Sequence, residues 1–189
     1  MINGLYEYEG YILQQNPKSI KIIPQFLSES NPSRILEIGS SFGGLTYLLK
    51  KHISVPIISV DIDLKDERIY ENSTFFKQDI FDSLFLKNII IPYINEPGRT
   101  IVFCDGGNKI KEFNYFSTHI KEGDLILAHD YFTNINEFKQ SNDWDWCEIT
   151  ENDITIASEK NNLIADHDYL KEIQWVCKRK TSQSIRTLF

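Results

Sequence analysis

The chain has 189 residues, of which 41% are hydrophobic and 25% charged, with a formal net charge of −7. This length suits a single domain around one hydrophobic core, and the composition excludes the disordered and membrane-embedded classes. The acidic balance works against nucleic acid as a partner, because such binding draws on Lys and Arg contacts to phosphates, and no apolar run approaches the roughly 20 residues that cross a bilayer.

Met1 to Tyr11 is too polar and acidic for a signal peptide, so a cytoplasmic location is expected. Ile20, Ile22, Ile23, Phe26 and Leu27 recur at near-helical spacing and predict an opening helix over residues 18 to 29, stopped by Asn31-Pro32 because proline cannot continue a helix. Ser33 to Ile38 then reads as a short apolar strand, and Gly43 to His52 as a helix with Leu45, Leu48 and Leu49 facing inward. A second strand is predicted at Val55 to Ile62 and a shorter third at Thr74 to Gln78. Residues 82 to 95 read as a helix that the Ile89-Ile90-Ile91-Pro92 run ends or kinks, and Pro97-Gly98 turns the chain into a fourth strand, Thr100 to Cys104. Asn108 to Ile120 is helical, with Ile110, Phe113, Phe116 and Ile120 on one side, and Gly123-Asp124 leads into a fifth strand, Leu125 to Ala128. In the last third, Trp144 to Ile149 and Ile173 to Lys180 are predicted as strands that pair antiparallel at the edge of the sheet, with a helix over Glu151 to Lys160 between them. Lys178-Arg179-Lys180, the densest basic run, reads as a solvated strand end.

There is no internal repeat and no Gly/Ser linker. The strand–helix alternation predicts one α/β domain over residues 1–189: a doubly wound, Rossmann-like, mostly parallel sheet over 33–180, behind a short helical N-terminal extension over 1–32. Cys104, Cys147 and Cys177 are odd in number and widely spaced, which predicts three reduced thiols.

Ile35-Leu36-Glu37-Ile38-Gly39-Ser40-Ser41-Phe42-Gly43-Gly44 follows a strand and opens a helix, where glycines permit a tight turn and close approach of a ligand to backbone. It lacks the G-x-G-x-x-G spacing of dinucleotide sites. S-adenosylmethionine carries no phosphate and offers a carboxylate, an ammonium and a ribose, which suits an acidic residue two before the first glycine. Asp61 ends the second strand, where an acid accepts from ribose hydroxyls, and Asp79, in Gln78-Asp79-Ile80, ends the third, where it accepts from the adenine amino group. Singly, each acid reads equally as a turn former or helix cap. Together Glu37, Gly39, Ser40, Ser41, Gly43, Asp61, Gln78 and Asp79, with Asp105 after the fourth strand, form the candidate cofactor set.

Through the glycine turn and the two later aspartates, residues 33 to 180 resemble class I S-adenosylmethionine-dependent methyltransferases. Gly10, Gln15, Pro17 and Pro32, leading into Ile35-Leu36-Glu37-Ile38-Gly39-Ser40 and Gly43-Gly44, look like the opening of the cephalosporin-hydroxylase-like and rhamnosyl O-methyltransferase group. That group is similar to catechol-type O-methyltransferases, in which a divalent metal holds the acceptor hydroxyls. The resemblance places metal carboxylates at Asp105 and Asp130, with Mg²⁺ or Mn²⁺ as the optional metal. The match is partial: Tyr131 stands where the catechol type has Asn, and Lys109 lies four residues after the first aspartate rather than three.

Methyl transfer is an in-line displacement, so the protein has to align the acceptor and remove its proton. His129, Lys109 and Asp130 are the candidate catalytic residues, with His129 as general base, metal ligand or a residue packed beside the cofactor. Trp144, Trp146 and Trp175 are candidates for an acceptor pocket or for core, and His52, His119 and His167 read as surface residues. The expected function is an O-methyltransferase acting on a small hydroxylated acceptor, a sugar or natural-product intermediate, with neither nucleic acid nor membrane as partner and a homodimer left open. Two alternatives remain: a nitrogen methyltransferase of nucleic acid or protein, and a non-catalytic S-adenosylmethionine-binding module. Against the first, amino-group methyltransferases of DNA carry an Asn/Asp-Pro-Pro-Tyr/Phe tetrapeptide after the fourth strand, where Cys104-Asp105-Gly106-Gly107 stands here.

Overall fold

A computed structural model describes residues 4–63, 65–142 and 144–182; the ends of the expected 1–189 domain lie outside them. The chain begins with a hairpin, Tyr6–Tyr8 (β1) paired antiparallel with Tyr11–Leu13 (β2). Its two-residue loop, Glu9-Gly10, has positive φ at both positions (51° and 85°), the backbone that matches the twist of a tight hairpin. The N-terminal extension thus carries a hairpin ahead of its expected helix: the alternating Tyr-Glu-Tyr and Tyr-Ile-Leu stretches around Glu-Gly favour paired strands. Ser19–Ser30 (α1) follows as predicted and ends on Asn31 in the left-handed conformation.

The remaining elements are Arg34–Ile38 (β3), Gly44–His52 (α2), Ile57–Asp61 (β4), Ile69–Asn72 (α3), Thr74–Lys77 (β5), Ser83–Phe85 (α4), Ile91–Asn95 (α5), Thr100–Cys104 (β6), Lys109–Phe116 (α6), Leu125–Ala128 (β7), Tyr131–Phe132 (β8), Ile135–Gln140 (α7), Ile149–Thr150 (β9), Glu151–Lys160 (α8), Leu163–Ala165 (β10) and Val176–Lys180 (β11). Between α4 and α5 the turn widens to a π-helix over Leu86–Ile90. Pro92 sits in the first turn of α5, and the wider turn accommodates a ring that would clash with the preceding carbonyls of a regular helix.

The main sheet has seven strands in the order β5-β4-β3-β6-β7-β11-β10. Strands β3 to β7 run parallel in it, while β11 is antiparallel to β7 and β10 to β11. Side chains alternate strictly across it. Leu36, Ile38, Val102, Cys104, Ile126 and Ala128 face α5, α6 and α8, while Ile35, Ile101, Phe103, Leu125 and Leu127 face α1, α2 and Trp175. Both faces are covered, so the strands read as unbroken apolar runs.

The closing antiparallel pair is β10 with β11, which corrects the expected strand over Trp144 to Ile149. Only Ile149–Thr150 is extended there, and it pairs parallel with β8 in a small separate sheet. The amides of Glu148 and Ile149 donate to the carbonyl of Asp130, and the side chains before them turn toward the strand ends. The basic run at 178–180 is likewise not a solvated end: Lys178 is buried and paired with Glu151 at 2.6 Å, and Arg179 pairs with Asp166 at 2.7 Å. His167, expected at the surface, is half-buried between Asp166 and Ser30. The three cysteines are free thiols. Among the described residues no helix is long and apolar enough to cross a membrane.

Candidate functional site

Open parallel sheets bind ligands beyond the carboxyl ends of their strands, where the strand order reverses. Here that point lies between β3 and β6, since the chain runs from β3 to β4 on one side and returns to β6 on the other. Two cavities of about 270 and about 120 Å³ open there and share Gly39. The larger lies over β3, β4 and β5 and is walled by Asp61, Ile62, Gln78, Asp79, Phe81 and the loop 106–108. The smaller lies over β6 and β7, among Ser40, Ser41, Asp105, Lys109, His129, Asp130, Trp144, Trp146 and Glu148.

Gly39 has φ +84°, and a Cβ placed there would lie 2.2 Å from the backbone oxygen of Asp105. Only glycine lets the β3–α2 turn sit against the β6–α6 loop. Asp61 holds this turn directly, accepting from the Ser41 amide at 2.8 Å and from the Asp63 amide at 3.1 Å. Asp79 accepts from the Phe81 amide at 2.8 Å. Gly43, singled out with the turn, has φ +74° and starts α2, but neither cavity touches it.

Glu37 is fully buried and lines neither cavity. One of its oxygens accepts from Thr46 and Ser59, each at 2.6 Å, and the other has no partner. Burial pushes its carboxyl up to about 7 against those two hydrogen bonds. Because the folded value is raised, this group stabilises the fold fully below its unfolded pKa, and the contribution is lost as pH rises through about 7. The loss amounts to about 3 kcal/mol. Glu37→Gln should therefore gain stability relative to wild type between pH 5 and pH 9; a melting-temperature difference that is flat across that range would refute this.

In the smaller cavity the strand ends bring four of the expected residues together. His129, 2% exposed, donates from Nδ1 to Asp105 Oδ1 at 3.0 Å and lies 3.5 Å from Asp130 Oδ1. Its ring stacks on Trp175 with centroids 4.8 Å apart. Its Nε2 is buried and has no partner. Burial alone would pull the imidazole down, but the Asp105 and Asp130 charges and the hydrogen bond to Asp105 outweigh it, so its pKa lies above the ordinary value.

Asp130 adopts φ 56°, a conformation that aspartate tolerates better than most residues. It accepts from Trp144 Nε1 at 2.6 Å and pairs with Lys109 Nζ at 3.0 Å. Burial raises its carboxyl, but His129, Lys109 and the Trp144 hydrogen bond bring it below the usual range. Lys109 Nζ also donates to the Gly106 carbonyl at 3.1 Å and to Glu148 at 2.8 Å, and it lies 3.7 Å from Asp105. Burial disfavours its charge, yet Asp105, Asp130 and Glu148 hold its pKa above the ordinary lysine value. In this arrangement Lys109 is set as a cation among Asp105, Asp130 and Glu148.

Asp105, His129 and Asp130 each offer one ligand atom within 4.8 Å of the others, a grouping able to hold a metal ion. Yet all four carboxylate oxygens face donors of the chain itself: His129 Nδ1 and Gln15 Nε2 (2.7 Å) on Asp105, Trp144 Nε1 and Lys109 Nζ on Asp130. The donor types suit a divalent ion, but in the present arrangement each carboxylate oxygen already faces an N–H of the chain, and an ammonium stands beside Asp130.

Sequence reasoning did not reach Gln15 as a site residue, nor Glu148 or Glu112. Gln15 joins Asp105 to Trp175, whose Nε1 donates to it at 2.8 Å; the Gly10, Gln15, Pro17 opening was its only signal. Glu148 has no local motif. Glu112 accepts from the amides of Gly106 and Asn108 and shapes the loop under the larger cavity, a role visible only once that loop is built. Of the three tryptophans, Trp144 and Trp146 line the smaller cavity, whereas Trp175 is core beneath His129.

No protein-family model matches the chain. A curated relative, ribosomal RNA large subunit methyltransferase E of Picrophilus torridus, is 35% identical over 81 residues, 43% of this chain and 41% of the relative. The match thus spans about two fifths of that protein. Among solved structures, CmcI with Mg-SAM aligns at a TM-score of 0.61 and 20% identity over 92% of this chain and 76% of that one. The MycE methyltransferase of the mycinamycin biosynthetic pathway, in complex with Mg, SAH and mycinamycin VI, aligns at 0.57 and 18% over 87% and 51%. The fold is that of a class I methyltransferase. At these identities the likeness is one of architecture, and in this methyltransferase fold the two cavities occupy the ligand-binding end of the sheet.

Proposed function

We propose that this chain is an S-adenosylmethionine-dependent O-methyltransferase whose acceptor is a small hydroxylated molecule, a sugar or natural-product intermediate. The observation that carries the reading is the pair of neighbouring cavities that share Gly39 as a wall, one bounded by Asp61, Gln78 and Asp79, the other by His129. The two cavities, on either side of Gly39, offer an elongated ligand a ribose and adenine end beside Asp61 and Asp79 and a methionyl end beside Ser40, whose buried hydroxyl has no partner. The cofactor would supply a methyl group activated as a sulfonium.

Asp105 accepts the Nδ1 proton of neutral His129 and so leaves the Nε2 lone pair as the base. Nε2 would take the proton of an acceptor hydroxyl whose oxygen receives the cofactor's methyl group, the sulfur keeping the electron pair of the broken bond; because Nε2 is buried in this packing, the acceptor would reach it only as the surrounding side chains yield. Trp144 and Trp146 offer apolar walls to an acceptor, and Glu148, more exposed than Asp130 and Asp105, accepts from its hydroxyl groups. Those three carboxylates at the mouth disfavour a polyanion, so a small acceptor is preferred to the RNA that the curated relative's name suggests.

Calorimetry with S-adenosylhomocysteine tests the reading. Wild type should bind with micromolar affinity, about −7 to −8 kcal/mol. Asp61→Ala should lose about 1 to 3 kcal/mol of it while remaining folded. No heat with this ligand, alongside a clear response to NAD, would overturn the assignment. Methylation of RNA in preference to hydroxylated small molecules would overturn the acceptor class.

A further inference from the structure

Asp105, Asp130 and Glu148 converge on one small cavity, and packing three carboxylates together demands a cation. Lys109 meets that demand from within the chain. Its Nζ is 3.0 Å from Asp130, 2.8 Å from Glu148 and 3.7 Å from Asp105, and its side chain is only 6% exposed. Its Nζ donates to Glu148 and to the Gly106 carbonyl and forms an ion pair with Asp130.

We propose that the Lys109 ammonium is the resident counter-cation of this site and does in this chain what a divalent ion would do, neutralising the carboxylates around the acceptor. For its functional consequence this rests on the methyltransferase reading; for the charge balance itself it does not. Two features argue for the lysine over an ion. Mg²⁺ binds through one or two carboxylates and several waters at about 2.0–2.1 Å, and here each oxygen of Asp105 and Asp130 already faces an N–H of His129, Gln15, Trp144 or Lys109 with which an ion would have to compete. A divalent ion would also have to share the cavity with a buried ammonium or expel it, leaving that ammonium without its acceptors. Held by these ion pairs and hydrogen bonds, Lys109 contributes charge: it lowers the repulsion that the carboxylates exert on an acceptor oxygen losing its proton to His129.

Mn²⁺ titration followed by electron paramagnetic resonance, with S-adenosylhomocysteine present, tests this on wild type, Lys109→Met and Lys109→Arg. Wild type and Lys109→Arg, which both keep the positive charge, should show no saturable site below about 1 mM. Lys109→Met should gain one, with affinity at least about tenfold higher. Stoichiometric binding of Mn²⁺ by wild type would overturn the proposal, and so would a folded Lys109→Met without the gain or a Lys109→Arg with it. If Lys109→Met does not fold, the wild-type and Lys109→Arg titrations still decide. Failure of wild type to bind S-adenosylhomocysteine, measured separately by calorimetry, would overturn the methyltransferase reading and leave the metal comparison standing.

Discussion

His129→Ala is expected to slow the chemical step by about 10²- to 10⁴-fold, as for loss of a general base, while cofactor affinity stays within about twofold of wild type. The separation follows from geometry: the imidazole faces the smaller cavity, and Asp61 and Asp79 wall the larger. The pH dependence adds a sign. A base must be deprotonated to act, and Asp105 and Asp130 hold His129 above the ordinary imidazole value despite its burial. The rate should therefore rise with pH along a limb above about 6.5, the value of a free imidazole. Asp105→Asn removes a negative charge and should move that limb to lower pH. It should also lower the plateau, because an amide no longer fixes the tautomer with Nε2 unprotonated. Single-turnover rates across pH check both effects. A variant lacking His129 that keeps more than a tenth of the rate, or a limb unmoved in Asp105→Asn, would remove the base from this residue.

Gly39→Ala is expected to be the most damaging small substitution in the chain. The added methyl would meet the Asp105 oxygen at 2.2 Å and the Gly106 nitrogen at 2.5 Å, both backbone atoms that cannot swing aside, at φ +84°. Overpacking and the left-handed conformation together cost on the order of 3 kcal/mol. Relief requires the β3–α2 turn and the β6–α6 loop to separate, which opens the wall common to both cavities. Cofactor affinity should fall by at least about tenfold along with stability. Gly107→Ala is the control: nothing lies within 4 Å of a Cβ there, so the melting temperature should hardly change. Denaturant titrations of the two variants decide. Equal stability would mean that the close approach at Gly39 is not a constraint on the fold.

The sequence by itself determined the central architecture. The apolar runs of β3, β4, β6 and β7 are buried on both faces, which leaves an unmistakable pattern, and the glycines after β3 mark the one turn that has to approach another strand end closely. Asp61, Gln78, Asp79, Asp105, His129 and Asp130 were legible because each ends a strand or lies just past one, and strand ends in such a sheet converge at one edge. Only the tertiary structure decided the rest. The opening hairpin carries Gln15 across 90 positions to Asp105, and the stretch after α7 turns away from the sheet so that Trp144 and Glu148 reach Asp130 and Lys109. Glu37, plausible as a cofactor contact from its place two before the glycine, is sealed under Thr46 and Ser59. Lys109 changed most in meaning, from a residue that sequence could place near the acceptor to a cation set among three carboxylates. Charge balance depends on which groups meet in space, and residues 105, 109, 130 and 148 meet only when loops from distant parts of the chain close over the same strand ends.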